Sequence, residues 1–379
     1  MMRDLIQAIK EHKNAILNTY DELHKLAEPS WKEEKTSRYL QKALSDAGFS
    51  VQTFADHYGF IAELQGEKRE VIALRADMDA LMQEIDGEVR ANHACGHDAH
   101  STMVLHAALA LKQSGRSFRH TVRFIFQPAE EVAEGALQMV KDGALENVKF
   151  LGGIHLRPEL EVPFQKAAPV IQHGSSVSIK GVITGKTAHA ARPEQGINSL
   201  EAASVLIQAI SQIRLQAQGS YSIKITELQG GEASNSIPEK ACFTFDLRSE
   251  NNEAMNQLIE KAKHVIESVA VLTKTNIAFS LEGYAPAAVT NEAAIAGAAE
   301  SVAAVLGEEN VNSYCKSPGA EDFHFYTMEK TDIAATMIGL GCGLQPGLHH
   351  PAMTFNKEAL IYGTQILAQT LLLADKKQW

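Results

Sequence analysis

The sequence predicts an α/β protein: a mostly parallel sheet forms the larger domain, and a smaller βαββαβ domain is inserted into it. Three observations carry that expectation. Short apolar runs alternate with amphipathic helices through residues 1–171, the pattern turns to alternating strands and two longer helices over 172–286, and the first pattern returns over 287–379. Apolar strands separated by helices describe a sheet buried on both faces, whereas alternation describes a sheet with one face covered. A chain of 379 residues is long enough for two cores of this kind.

Residues 1–47 read as two helices broken near "AEPSW", and "SVQTFADHYGFIAEL" and "VIALRAD" read as strands. A helix is expected from Asp98 as its N-cap, with apolar residues at 103, 104, 107, 108 and 111 and Gly115 closing it. A strand over 121–126, a helix over 135–145 and a strand over 150–156 follow. Beyond Pro169, "SVSIKGVIT" places Val177, Ile179 and Ile183 on one face, and a helix is expected over 198–216. The strands "YSIKITEL" and "ACFTFDLRS" flank a Gly-rich turn, then come a helix over 251–272 and the strand "NIAFSLE". This β-α-β-β-α-β order is that of a ferredoxin-like unit. A helix over 291–306, a strand over 333–340 and a helix over 356–374 complete the larger domain.

Composition narrows the function classes. The formal charge is −11, which disfavours nucleic acid and anionic membrane surfaces as partners. Four cysteines without a CxxC pair do not make a disulfide framework. The opening "MMRDLIQAIKEHKN" is a charged amphipathic helix and not a signal peptide, and the longest apolar tract is too short to span a bilayer. The expectation is a cytoplasmic protein.

Metal-ligating residue types gather where strands of the larger domain should end. Asp77 and Asp79 follow "VIALR", Cys95 and His97 sit in "NHACGHDAH", and Glu130 and Glu131 follow "RFIFQPA". His155 ends "LGGIH", and His349 and His350 lie in a loop bracketed by proline and glycine. In open α/β sheets that edge is where ligands bind. Cysteine, histidine and glutamate together suit zinc, manganese, cobalt or nickel. One tetrahedral ion does not need so many ligands, whereas two divalent ions sharing a bridge would use them all. One glutamate of the pair could then hold metal while the other moves a proton. A cysteine nucleophile would not call for the distant histidines and paired glutamates.

The ordered segments "RADMDAL", "HACGHDAH", "FQPAEE", "GGIHL", "GKTAHAARP", "GGEASNSIPEKACFTFDLRS", "GAEDF" and "LHHP" span nearly the whole chain. Together they resemble the aminoacylase/carboxypeptidase family of metallopeptidases, in its amidohydrolase branch. That resemblance implies a catalytic domain (1–171 and 287–379) with an inserted lid (172–286) through which homodimers form. It implies that Cys95, as the bridge, His97, Glu131, His155 and His349 bind metal, with Glu130 as general acid/base and Asp77 supporting the ligands from behind. Arg75 stands where other branches carry a histidine ligand. His93 and His100 fall to supporting or surface roles. In the lid, His189 and Asn235 would polarise and hold the substrate, and Arg248 would meet its carboxylate. Met82 replaces the family's usual proline, and the link from it to "HACGHD" is short. The implied reaction is hydrolysis of an N-acyl amino acid by metal-activated water, with a dipeptidase or aminopeptidase on the same site as the alternative.

Overall fold

The computed structural model describes residues 2–379. The chain divides into two compact units, one of residues 1–172, 289–317 and 322–379, the other of 173–288 and 318–321.

The first unit opens with α1 (Met2–Glu11), α2 (Lys13–Lys25) and α3 (Glu34–Asp46). The first of the two helices expected here is thus two, parted at His12, and the expected break near 27–31 falls between α2 and α3. There follow β1 (Ser50–Thr53), β2 (Phe60–Leu64), β3 (Lys68–Asp77), β4 (Leu81–Ile85), β5 (Glu88–Asn92), α4 (His97–Gln113), β6 (His120–Gln127), α5 (Gly135–Lys141), β7 (Val148–Pro158), β8 (Ala167–Ala168) and β9 (Ile171–His173).

The second unit contains β10 (Ser175–Thr184), β11 (Ala188–His189), α6 (Ser199–Ser211), β12 (Tyr221–Gly230), β13 (Ser236–Ile237), β14 (Lys240–Ser249), α7 (Asn252–Thr273) and β15 (Asn276–Ala285). The chain then returns to the first unit with α8 (Glu292–Leu306), β16 (Cys315–Ser317), α9 (His324–Glu329), β17 (Ala334–Leu344) and α10 (Ala359–Ala374).

Among the described residues the first unit holds a seven-stranded sheet in the order β1-β2-β6-β3-β7-β17-β8. Strands β6, β3, β7 and β17 run parallel, while β1, β2 and β8 pair antiparallel at the edges. Every residue of β6 is buried, the signature of a strand covered on both faces. Helices α4 and α10 pack on each other and on β3 and β7. All of α10 is buried, which explains why its apolar residues run all round the helix. Stacked Phe60 and Phe126, 4.7 Å between centroids, belong to the same core. Each such ring contributes about 2 kcal/mol by leaving water.

Helix α4 starts two residues earlier than expected, with its cap at Gly96 and not at Asp98. Gly96 is in the left-handed region at φ 92°, and no side chain caps the helix. Asp98 instead lies within the first turn, buried, with one carboxylate oxygen 2.6 Å from His24 Nδ1. Strands β4 and β5 form a separate hairpin turned by Asp86 and Gly87, both at positive φ, as an Asp-Gly pair allows. No helix among the described residues is long and apolar enough to cross a membrane.

The second unit is built on an antiparallel sheet in the order β12-β14-β10-β15, beside which β11 and β13 form a separate two-stranded pair. Val177, Ile179, Ile183, Phe243, Phe245 and Leu247 share its covered face with α6 and α7. Helix α6 stops at Ser211, short of the expected 216.

Candidate metal centre

Four elements of the first unit bring polar side chains to one place. Strand β3 ends in Asp77 with Asp79 just beyond, α4 begins at His97, β6 runs out into Glu130 and Glu131, and His155 stands on β7. The loop between β17 and α10 supplies His349. Two sets of ligand atoms each lie within 4.8 Å of one another: Cys95, His97 and His155, and Cys95, Glu131 and His349. Cys95 belongs to both. The first set is fully buried, whereas the His349 side chain is half exposed.

The imidazoles of the buried set are held by their far nitrogens. His97 Nδ1 lies 3.0 Å from Asp79 Oδ1, and His155 Nδ1 donates to the Leu156 carbonyl at 2.7 Å. In neutral rings this leaves both Nε2 lone pairs facing the centre, the arrangement that outer partners impose on metal-binding histidines. His155 Nε2 is 3.6 Å from Cys95 Sγ. His97 Nε2 and Glu131 Oε1 are buried, 3.8 Å apart and without a hydrogen-bond partner. Orphaned polar atoms of this kind carry a desolvation cost that a shared cation would remove.

The electrostatics agree. Burial, with the Glu131 carboxylate adding to it, pushes the Cys95 thiol well above its usual range. Burial also pushes Glu131 up to about 7, with His97 opposing and Asp79 and Asp77 reinforcing. Burial alone would lower His97, but Asp77 and Cys95 outweigh it and raise the ring. The cluster is short of positive charge, and its sulfur, nitrogen and oxygen donors suit borderline divalent ions. The residues present therefore fit a metal pair.

The surrounding residues are held as tightly. Asp77 sits between Arg75 and His100, and these with His97 keep its carboxyl well below the usual range despite burial. His100 Nε2 accepts the Leu156 N–H at 3.0 Å, so Nδ1 carries the proton it shares with Asp77 at 2.8 Å. His100 thus anchors the backbone beside His155. It is wholly buried, and so is His93, so of the supporting and surface roles expected for the two the surface one falls away. Arg75 donates to Gln127, Asp77 and Asp322.

The glutamate pair follows a tight turn in which Ala129 has φ 55°. The Glu33 carboxylate accepts the Ala129 N–H at 2.9 Å, and Asp79 Oδ2 accepts the Glu131 N–H at 3.0 Å. Glu130 Oε2 stays 3.8 Å from His97 Nε2. Gly96 between Cys95 and His97 has two reasons to be glycine: its positive φ, and Leu156 Cδ1 at 2.9 Å from where a Cβ would stand. Sequence reasoning gave Asp79 no role. Its only sequence signal is the Asp-x-Asp spacing, which at a strand end returns both carboxylates to one side.

His189, Asn235 and Arg248 all lie in the second unit and are exposed. The first two are neighbours: β11 pairs with β13, and the Ala190 N–H donates to the Asn235 carbonyl at 2.9 Å. His189 Nδ1 accepts the Ala191 N–H at 3.1 Å, which places the ring proton on Nε2. Arg248 is on β14, 3.0 Å from Asp246.

Comparison with known proteins places this centre. The model of peptidase family M20/M25/M40 matches residues 73–373. An N-acetylcysteine deacetylase of Bacillus subtilis is 32% identical over 97% of this chain and 98% of its own. An IAA-amino acid hydrolase of Arabidopsis thaliana is 31% identical over 91% of this chain and 82% of its own. Among solved structures, a dinuclear metal binding peptidase of the M20 family from Bacillus subtilis superposes with a TM-score of 0.82 at 27% identity, covering 97% of this chain and 99% of that one. The chain belongs to the peptidase M20 family, in its amidohydrolase branch. It is a metal-dependent amidohydrolase.

Proposed function

We propose that this protein hydrolyses the amide bond of an N-acyl amino acid, with Glu130 as general acid/base beside a pair of divalent ions. The supporting observation is that two ligand triads share Cys95, with the Glu130 carboxylate alongside them. The relatives named for deacetylation and for IAA-amino acid hydrolysis point to the same substrate class. Cys95, His97 and His155 would hold one ion, and Cys95, Glu131 and His349 the other, with zinc, manganese, cobalt or nickel as the candidates. Bound ions would supply a cationic field that acidifies water and polarises the scissile carbonyl.

The chain's own residues do the rest. Glu130 takes a proton from the attacking water, the oxygen adds to the acyl carbon, and Glu130 passes the proton to the amide nitrogen as the C–N bond breaks. A carboxylic acid and a free amino acid leave. His189 donates from Nε2, and with Asn235 it orients the carbonyl, while Arg248 pairs with the substrate carboxylate. Asp77, itself held by Arg75, orients His100, which accepts the Leu156 N–H and so steadies the backbone beside His155.

The second unit is proposed as a ferredoxin-like lid, which its β-α-β-β-α-β order supports, and as the surface of a homodimer. Light scattering on the purified protein tests the dimer.

A dipeptidase or aminopeptidase is the second reading, favoured by the solved relative described as a peptidase. A panel of N-acetyl, N-benzoyl and longer-acyl amino acids against free-amine dipeptides separates the two. Glu130→Ala is expected to lower kcat by at least about a hundredfold while metal content stays at the parent level. Loss of metal in that variant would show the two glutamates to have exchanged roles.

A further inference from the structure

The two triads are not supported equally. In the Cys95–His97–His155 set every ligand is buried, and both rings are fixed at Nδ1 by Asp79 and Leu156. In the Cys95–Glu131–His349 set the histidine side chain is half exposed, and among the described residues no hydrogen bond holds its Nδ1. Its place depends on its backbone, which is in the left-handed region at φ 62°. A histidine there sits in a minor conformation that its surroundings must maintain.

The β4–β5 hairpin supplies those surroundings. Gln83 Nε2 donates to the His349 carbonyl at 2.7 Å. Asn92 Nδ2 donates both to Gln83 Oε1 at 2.9 Å and to the Pro351 carbonyl at 3.0 Å. Just past the hairpin, the Ala94 carbonyl accepts the His349 N–H at 2.7 Å. Gln83 uses both ends of its amide, so neither amide can flip without losing partners. Asn92 pairs with Leu81 at the open end of the hairpin and Gln83 with Arg90 two residues further in, so the two amides are diagonal neighbours on one face.

We propose that Gln83 and Asn92 are positioning residues that set the affinity of the exposed ion site without contributing a ligand to it. The inference rests on the two-ion reading above. Removing the clamp frees the backbone of His349, while the buried triad, which makes no use of these two side chains, is left as it was. Partners one layer behind a ligand typically change metal affinity by about ten- to a hundredfold when removed.

The test is titration of the metal-free full-length protein with Co2+, followed by calorimetry and by the visible absorption of bound cobalt. The parent is expected to take up two ions in two resolved steps. In Gln83→Ala/Asn92→Ala the tighter step stays unchanged and the weaker one loses about tenfold or more in affinity. Glu88→Ala, exposed on the same hairpin, leaves both steps as in the parent. Gln83→Met keeps the length of the side chain, removes the donor and gives the same answer should the double variant fail to fold. An unchanged weaker step, or equal loss in both steps, overturns the inference. A parent that binds a single ion overturns the two-ion reading first, and this inference with it.

Discussion

The Asp79 carboxylate lies 3.0 Å from His97 Nδ1, and its second oxygen accepts the Glu131 N–H at the same distance. One side chain therefore fixes a ring from α4 and the backbone of the loop after β6. Burial would raise this carboxyl, but the His97 hydrogen bond and charge hold it below its usual value, so it stays ionised. Asp79→Ala is expected to weaken metal binding by about ten- to a hundredfold, read by competition with a chromophoric chelator. Unchanged affinity would mean that His97 is oriented by something else.

Removing metal is expected to cost stability. The centre crowds Asp77, Asp79, Glu131 and Cys95 around two histidines, and a cation relieves both the charge and the orphaned atoms. An ion present at a hundred times its Kd adds about 2.7 kcal/mol. Thermal melts with and without chelator should show a higher Tm for the loaded protein, reversed by chelation. Coincident melts would count against a built metal site.

Glu33 makes a prediction about pH. Its Oε1 accepts from the Trp31 and Ala129 N–H groups, its Oε2 has no partner, and burial followed by Asp79 pushes its carboxyl up to about 7. A carboxyl raised above its unfolded value binds more protons in the native state. Its contribution is complete below about pH 4.5 and is lost as the pH climbs through about 7. Glu33→Gln lacks this loss, so relative to the parent it gains about 2 kcal/mol between about pH 5 and pH 8 in urea unfolding of metal-free protein. Parallel stability profiles would refute the assignment.

Arg75 is 1% exposed and neutralises Asp77 and Asp322. Arg75→Met leaves two buried carboxylates without their cation, and the expected loss is about 3–5 kcal/mol by chemical unfolding. A loss below about 1 kcal/mol would place the network among dispensable ion pairs.

The sequence was most legible where local pattern and burial coincide. Strand β3 carries "VIALRA" and strand β6 "TVRFIF" because both faces are covered, and an apolar run records that directly. Cys95 and His97 stood out because one glycine separates two ligand types. The supports are legible only in part: Asp77 is expected behind the ligands, His93 and His100 fall between supporting and surface roles, and Asp79 has none. Asp79, His93 and His100 are polar residues that composition assigns to the surface, yet the ends of several strands converge there and bury them. Asp98 looks like a cap because Asp usually is one, but a tertiary partner, His24, claims its carboxylate. The hairpin's grip on His349 joins segments far apart in the chain, which no local periodicity encodes.

Gly96 has a consequence for how such a centre can vary. A side chain at 96 would strike Leu156, whose carbonyl holds His155 and whose N–H holds His100. An error between Cys95 and His97 would therefore pass across to a ligand on another strand. Cys95, His97 and His155 are thus mechanically one piece, joined through the packing of Leu156 against Gly96.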